Sequence, residues 1–251
     1  MPSQDDEITA RLFRDAGIGE GMRVLDVGCG YGRVTRLVAE CVGPRGHVLG
    51  IDINEVALAR ARAQAERAGL GNVAFEHADL SSPPGGSPPY DAIVGRRVLM
   101  YVPDRVAALR ALTRVLRPGG VVAFHEVDGS TSPQWPTHYP LHETADAWLW
   151  NTVAREGGSK TMGFDLPTAL ENAGLHLRGI RGEAVIEHAT MRQPNAERVR
   201  AVLPRILAQG VATEAEVDID TLDARLHNEL QTRGGVRLAT MAFCAWATRR
   251  E

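Results

Sequence analysis

Three groups of residues in this chain have the types and spacing that chemistry requires. The first is Asp26-x-Gly28-x-Gly30-x-Gly32, which closes the apolar run Val24-Leu25-Asp26-Val27 and precedes a helix-like pattern from Arg33. Alternate glycines between a strand and a helix leave backbone N–H groups bare and let a ligand approach closely. The dinucleotide spacing G-x-G-x-x-G is not met, because its third glycine would fall at Arg33. The second group is carboxylates at strand ends. Asp52 ends His47-Val48-Leu49-Gly50-Ile51 and stands about twenty residues past Gly32, the interval at which an acidic group reaches the ribose of a nucleotide-like ligand. A carboxylate accepts from both ribose hydroxyls together, which a neutral side chain does not match. Asp79 stands near the end of the next run, Val73 to Leu80. The third group, His125, Glu126 and Asp128 with His138 and His142 beyond, carries imidazoles and carboxylates suited to proton transfer. Alternation along a strand puts Glu126 and Asp128 on one face and His125 on the other. His138 and His142 also have a metal-ligand interval on a helix, but Pro140 lies between them and no third ligand is evident, so no metal is expected.

Elements must hold these groups in place, and the periodicity supplies them. Residues 7–16 put Ile8, Leu12 and Phe13 on one helical face, ended by Gly17 and Gly19. Met22 to Val27 is a strand, and Tyr31 to Val42 a helix with Val34, Leu37, Val38 and Cys41 inward. A second strand ends at Asp52 and a helix runs from Glu55 to Ala68, with Asn54 available as its N-cap. Ala92-Ile93-Val94 is a fourth strand, and Pro103 opens a helix through Val106, Leu109, Leu112, Val115 and Leu116. Val121 to Val127 is a fifth.

The first motif resembles that of class I S-adenosylmethionine (SAM)-dependent methyltransferases, and four further stations of that family follow in order. They are Asp52, Asp79, the segment Gly95-Arg96-Arg97-Val98-Leu99-Met100-Tyr101-Val102-Pro103-Asp104, and the turn Arg117-Pro118-Gly119-Gly120. The segment Gly95 to Asp104 is similar to that of the small-molecule type found in ubiquinone/menaquinone C-methyltransferases. The resemblance covers about residues 20 to 128. It implies a Rossmann-like α/β fold: a seven-stranded, mostly parallel sheet with helices on both faces and inserted cap helices. It also implies SAM as cofactor, with Asp52 on the ribose, Asp79 on the adenine amine and Leu80 beside the ring. Asp26, Gly28, Cys29, Gly30, Gly32, Ile53 and Arg96 complete the implied cofactor set, and Arg11 on the first helix is a further contact to consider for the methionine carboxylate. Candidates for a catalytic base are His125, Glu126, His138 and His142.

Ser87-Pro88-Pro89-Tyr90 looks like the catalytic tetrapeptide of nucleic-acid amino-methyltransferases. There it follows the fourth strand, whereas here it precedes Ala92-Ile93-Val94 and so sits at the wrong end. A net charge of −3 likewise offers a polyanion no general attraction. The expected partner is a small-molecule acceptor with an apolar or aromatic part. A nucleic-acid (RNA) methyltransferase and a SAM-binding protein without methyl transfer are the alternatives sharing the core.

With 251 residues, one methyltransferase domain with elaborations is expected: a SAM-binding core at 20–130, lid or cap insertions at 131–160 and 191–235, and closing strands at 175–189 and 236–248. Trp135, Trp148 and Trp150 fall in the first insertion, where aromatic rings with polar tips suit an apolar pocket and equally a core patch under a lid helix. The second reads as two helices, kinked at Pro204, that would serve as a cap or a homodimer face. Cys29, Cys41 and Cys244 form no paired spacing, residues 1–7 carry no apolar signal core, and no apolar run approaches the ~20 residues of a membrane span. A cytoplasmic location is the expectation.

Overall fold

A computed structural model describes residues 3–130, 138–191 and 195–250. Its centre is β1 (Arg23–Val27), which pairs in parallel with β2 (His47–Asp52) on one side and β4 (Tyr90–Arg96) on the other. β3 (Val73–His77) extends the sheet beyond β2, and β5 (Leu116–Asp128) lies beside β4, both parallel to their neighbours. With β6 (His176–Glu187) and β7 (Arg237–Thr248) the order is β3-β2-β1-β4-β5-β7-β6. Backbone bonds from Gly119 to Arg249 and from Arg249 to Gly120 join the start of β5 to the end of β7. The Thr240 hydroxyl reaches the Asp128 carbonyl at the opposite ends of those strands. β7 is therefore antiparallel, and the expected seven-stranded, mostly parallel sheet is present.

The chain moves outward from β1 to β3 and then returns to β4, so the order reverses between β1 and β4. At such a switch point the loops at the carboxyl ends of adjacent strands part and leave a crevice. Right-handed crossovers place α2 (Arg33–Val42) and α3 (Glu55–Arg67) on one face and α4 (Arg105–Val115) on the other. α1 (Gln4–Asp15) packs on α2, and α6 (Met162–Asn172) on α4. Local chemistry sets the starts. Asn54 accepts from the Ala57 N–H as the cap of α3, and Asp104, not Pro103, caps α4. The tetrapeptide Ser87–Tyr90 precedes β4, at the end of the sheet away from the switch-point loops.

The described residues divide into two compact units. One comprises Met1–Val127, Met162–Glu183 and Ala242–Glu251, and the other Asp128–Thr161 and Ala184–Met241. The two expected insertions fall together in the second unit, joined by the ends of β6 and β7 next to them. α5 (Pro140–Arg155), α7 (Asn195–Ala208), α8 (Glu214–Val217) and α9 (Ile219–Arg233) share an apolar core of Trp148, Val199, Ile206, Leu222 and Leu226. Trp148 is thus core, not pocket lining, and Trp135 lies outside the described residues. No helix among the described residues is long and apolar enough to cross a membrane.

Candidate functional site

The turn after β1 has all three glycines at positive φ: +64° at Gly28, +52° at Gly30 and +77° at Gly32. Two of them are also confined by packing. A Cβ at Gly28 would stand 2.3 Å from Cγ2 of Val98, and one at Gly32 would stand 3.0 Å from the Phe75 ring and 3.1 Å from Ala61. Gly30 differs, because a Cβ there would meet nothing within 4 Å. Its N–H donates to Oδ2 of Asp52 at 2.8 Å, while Oδ1 of Asp52 takes the Asn54 N–H at 2.8 Å. The carboxylate at the end of β2 is thereby fixed against an open stretch of backbone. Each of its oxygens keeps acceptor capacity for a hydroxyl.

Apolar surface borders this pair. Ile53 and Val56 are 65% and 66% exposed, and the Ile53 carbonyl meets His77 Nε2 at 3.1 Å, tying the end of β2 to β3. Asp79 is exposed and accepts at Oδ1 from the Ser81 N–H (2.7 Å) and hydroxyl (2.5 Å), bonds that hold its carboxyl below the ordinary range. Leu80 beside it is buried. An open glycine backbone, a fixed carboxylate, exposed aliphatic side chains and a second carboxylate form a set that fits a ribose carrying a purine.

Other expected members of the set face elsewhere. Asp26 is buried, with Oδ2 accepting from the Thr35 hydroxyl of α2 at 2.6 Å, and burial lifts its carboxyl to about 7. It joins β1 to α2 and is turned away from the turn's open side. Cys29 is buried, and burial followed by the charges of Asp26 and Asp52 pushes its thiol far up, which leaves no reactive thiolate. Its N–H donates to the Ile51 carbonyl at 3.0 Å, so its part is to anchor the turn to β2. Arg96 is bonded at the Asp6 carboxylate (3.0 Å) and the Thr9 hydroxyl (3.2 Å). Arg33 binds the same carboxylate through Nε at 2.9 and 3.0 Å. Burial raises the Asp6 carboxyl, and the bonds from Arg33 and Arg96 more than reverse this, to about 2. Arg96 is therefore committed to α1. Arg11 pairs with Glu183 on β6 and is likewise engaged in an ion pair.

The proton-transfer candidates separate in the same way. His125 is buried, with Nδ1 3.0 Å from the Thr9 hydroxyl. Glu126, also buried, accepts at Oε1 from the N–H groups of Val98 (3.0 Å) and Leu99 (2.9 Å). Burial pushes its carboxyl up to about 7 against those bonds. In the other unit His138 is exposed, 3.6 Å from Glu143. His142 is fully buried, with Nδ1 2.7 Å from Glu229 and Nε2 3.9 Å from Glu187. Glu187 in turn binds Arg237 at 2.6 Å, and Arg237 binds Asp146. His142 is thus one member of a buried ionic network that ties α5 and α9 to β6 and β7. The structure joins His125 and Glu126 to the cofactor residues within one unit; His138 and His142 belong to the other. Sequence reasoning missed Asp6, Thr9 and Arg33. The pattern Ser3-x-x-Asp6 reads only as a helix cap, which it also is, and nothing local marks partners 27 and 90 residues away.

Known proteins share the sequence pattern and the fold. The sequence pattern of the family described as "Methyltransferase domain" matches residues 18–174. Demethylmenaquinone methyltransferase of Staphylococcus aureus is 35% identical over 132 residues, 53% of this chain and 54% of that protein. The chain thus spans about half the length of the curated relatives it matches. A SAM-dependent methyltransferase from Aquifex aeolicus superposes with a TM-score of 0.54 at 23% identity, covering 68% of this chain and 81% of that one. Phosphoethanolamine N-methyltransferase 2 of Haemonchus contortus, solved with S-adenosyl-L-methionine, gives 0.62 at 16% identity, covering 98% and 52%. At these identities the two structures speak for the fold. The chain belongs to the methyltransferase-domain family and is similar to class I SAM-dependent methyltransferases of the quinone C-methyltransferase type.

Proposed function

We propose that the chain transfers the methyl group of SAM to a small-molecule acceptor with an apolar or aromatic part. The observation that carries the reading is the 2.8 Å bond from the Gly30 N–H to Asp52, which sets a carboxylate beside the one glycine of the turn with open space at its Cβ position. SAM supplies a methyl carbon already activated by its sulfonium, so the protein's task is to hold donor and nucleophile in line. Such positioning contributes on the order of 7–11 kcal/mol. Asp52 holds the ribose, the Gly28–Gly32 turn admits the methionine end, and Ile53, Asp79 and Leu80 orient the adenine. An acceptor oxygen or carbon must also lose a proton, for which a base is worth about 10²–10⁴ in rate. Of the four candidates for that base, His125 and Glu126 share a unit with the glycine turn and stand at the carboxyl end of β5, while His138 and His142 lie in the other unit. The relative named for demethylmenaquinone supports an aromatic acceptor with an apolar tail.

Two measurements test this. Titration calorimetry with SAM on the purified chain is expected to show saturable binding of one equivalent. S-adenosylhomocysteine formation is expected with a set of quinols and phenols and not with RNA. Absence of SAM binding, or turnover confined to RNA, overturns the reading.

A further inference from the structure

The loop leaving β4 is held from β5. Oε1 of Glu126 takes two successive backbone N–H groups, those of Val98 at 3.0 Å and Leu99 at 2.9 Å, where the short 3₁₀ turn Leu99–Tyr101 begins. Those donors start a helical turn and have no partner within it. Oε2 of the same carboxylate is buried and has no hydrogen-bond partner. Burying a carboxylate in this state is costly, so an apolar residue would be the cheaper occupant unless the two N–H groups needed an acceptor. The loop is also forced. Arg97 has φ +54°, a conformation that a β-carbon disfavours. It is held there by its N–H bond to the His125 carbonyl (2.9 Å) and by guanidinium bonds to Asp5 (2.8 and 3.0 Å).

Val98 is what this arrangement delivers. Its Cγ2 lies 2.3 Å from where a Cβ of Gly28 would be, and its Cγ1 lies 3.0 Å from the corresponding point at Gly95. A line of direct contact therefore runs from Glu126 through Val98 to the first glycine of the turn after β1, across the switch point of the sheet. We propose that Glu126 is a positioning residue for the cofactor: by fixing the backbone at Val98 and Leu99 it seats Val98 against Gly28 and so sets the shape of the turn that receives SAM. The inference rests on the reading that Gly28–Gly32 binds SAM.

The test compares SAM dissociation constants, by calorimetry, for the intact chain and the variants Glu126→Ala, Glu126→Gln and Val98→Ala, with a thermal melt on each. Glu126→Ala removes the acceptor and is expected to weaken SAM binding at least fivefold at a temperature where it is folded. Glu126→Gln keeps an oxygen for the two N–H groups and is expected to stay under fivefold even where its melting temperature falls. Val98→Ala leaves the carboxylate in place, removes the Cγ2 atom that stands nearest Gly28 while keeping Cβ, and is expected to lose at least fivefold. A folded Glu126→Ala variant that binds SAM within fivefold of wild type overturns the proposal, as does a glutamine variant as weak as the alanine one. Where Glu126→Ala does not fold, Val98→Ala decides by the same threshold. Wild-type protein that binds neither SAM nor S-adenosylhomocysteine removes the functional reading, and this inference with it.

Discussion

Replacing Asp52 by alanine has two separable consequences. The carboxylate accepts the Gly30 and Asn54 N–H groups, each at 2.8 Å, so its loss frees two donors in the ligand-free protein. Both sit at the edge of the fold, where water replaces the bond, and the cost to stability is about 1 kcal/mol. The cost to affinity is larger. A hydrogen bond to a charged acceptor contributes about 1.5–3 kcal/mol, so losing even one ribose hydroxyl bond weakens SAM binding by at least roughly tenfold. A cycle separates the ribose contact from a slackened turn. SAM and an analogue lacking the ribose 2′-hydroxyl are titrated into wild type and into Asp52→Ala, by calorimetry, below both melting temperatures. The missing hydroxyl is expected to cost wild type at least roughly fivefold and the variant less than about twofold, a coupling near 0.5–1 kcal/mol or more. Equal losses in both proteins would refute the ribose contact and leave Asp52 as a buttress for Gly30 alone.

Gly30→Val strains a backbone at φ +52° and should lower the melting temperature, yet it is expected to fold, since no atom lies within 4 Å of its Cβ position, and to lose SAM binding more than about tenfold because the branched side chain fills the open face; retained binding with an intact circular-dichroism spectrum would contradict this. Stability should fall as pH rises from about 4 to about 7. Asp26 and Glu126 both have folded values near 7, so the folded state holds more protons than the unfolded state in that window and the slope is negative. Melts across pH 5 to 8 should show the decline, and Asp26→Asn and Glu126→Gln should each flatten it; slopes identical to wild type would refute it. His142→Ala removes the 2.7 Å bond to Glu229 and leaves a void in the buried network, and should cost about 3 kcal/mol, whereas exposed His138→Ala should cost less than about 0.5 kcal/mol. Equal melting temperatures for the two would show that the buried network is not holding α5.

Much of the fold was legible because it is written locally. Apolar runs ending in Asp52 and near Asp79, the glycine turn after Val27 and the Asn54 cap each sit within a few residues of the structure they cause. Less local features were harder to read. β5 begins at Leu116, through Arg117-Pro118-Gly119-Gly120, because a register shift opposite Tyr90 and Ala92 absorbs extra residues that look like a plain turn. α8 is only four residues long and shows no period. Within the site, the strand ends were readable and the side-chain partners were not. Glu126 reads equally well as a base or as a strand-end hydrogen-bond acceptor, and nothing in the sequence beside Arg96 marks Asp6 as its partner. Only the folded chain brings those choices within 3 Å of an answer.

The attachment of α1 bears on the order in which the protein becomes competent during synthesis. Its polar partners outside the helix lie downstream, among them Arg33 by 27 residues, Arg96 by 90 and Arg97 by 92 from their aspartates, His125 by 116 from Thr9, and Glu183 by 172 from Arg11. On the ribosome α1, held by its own capping box, can meet Arg33 of α2 early, yet it lacks Arg96, Arg97 and His125 until β4 and β5 have left the exit tunnel. At about 5–20 residues per second that interval lasts several seconds or more. Throughout it the acidic face of α1 and the two later arginines that will meet it are solvated separately, and the loop at Arg97 has no anchor. A nascent chain halted before His125 would carry every glycine of the turn and still lack Glu126 and the ring that meets Thr9. α1 is therefore made well before β4 and β5, and its attachment is completed only after both.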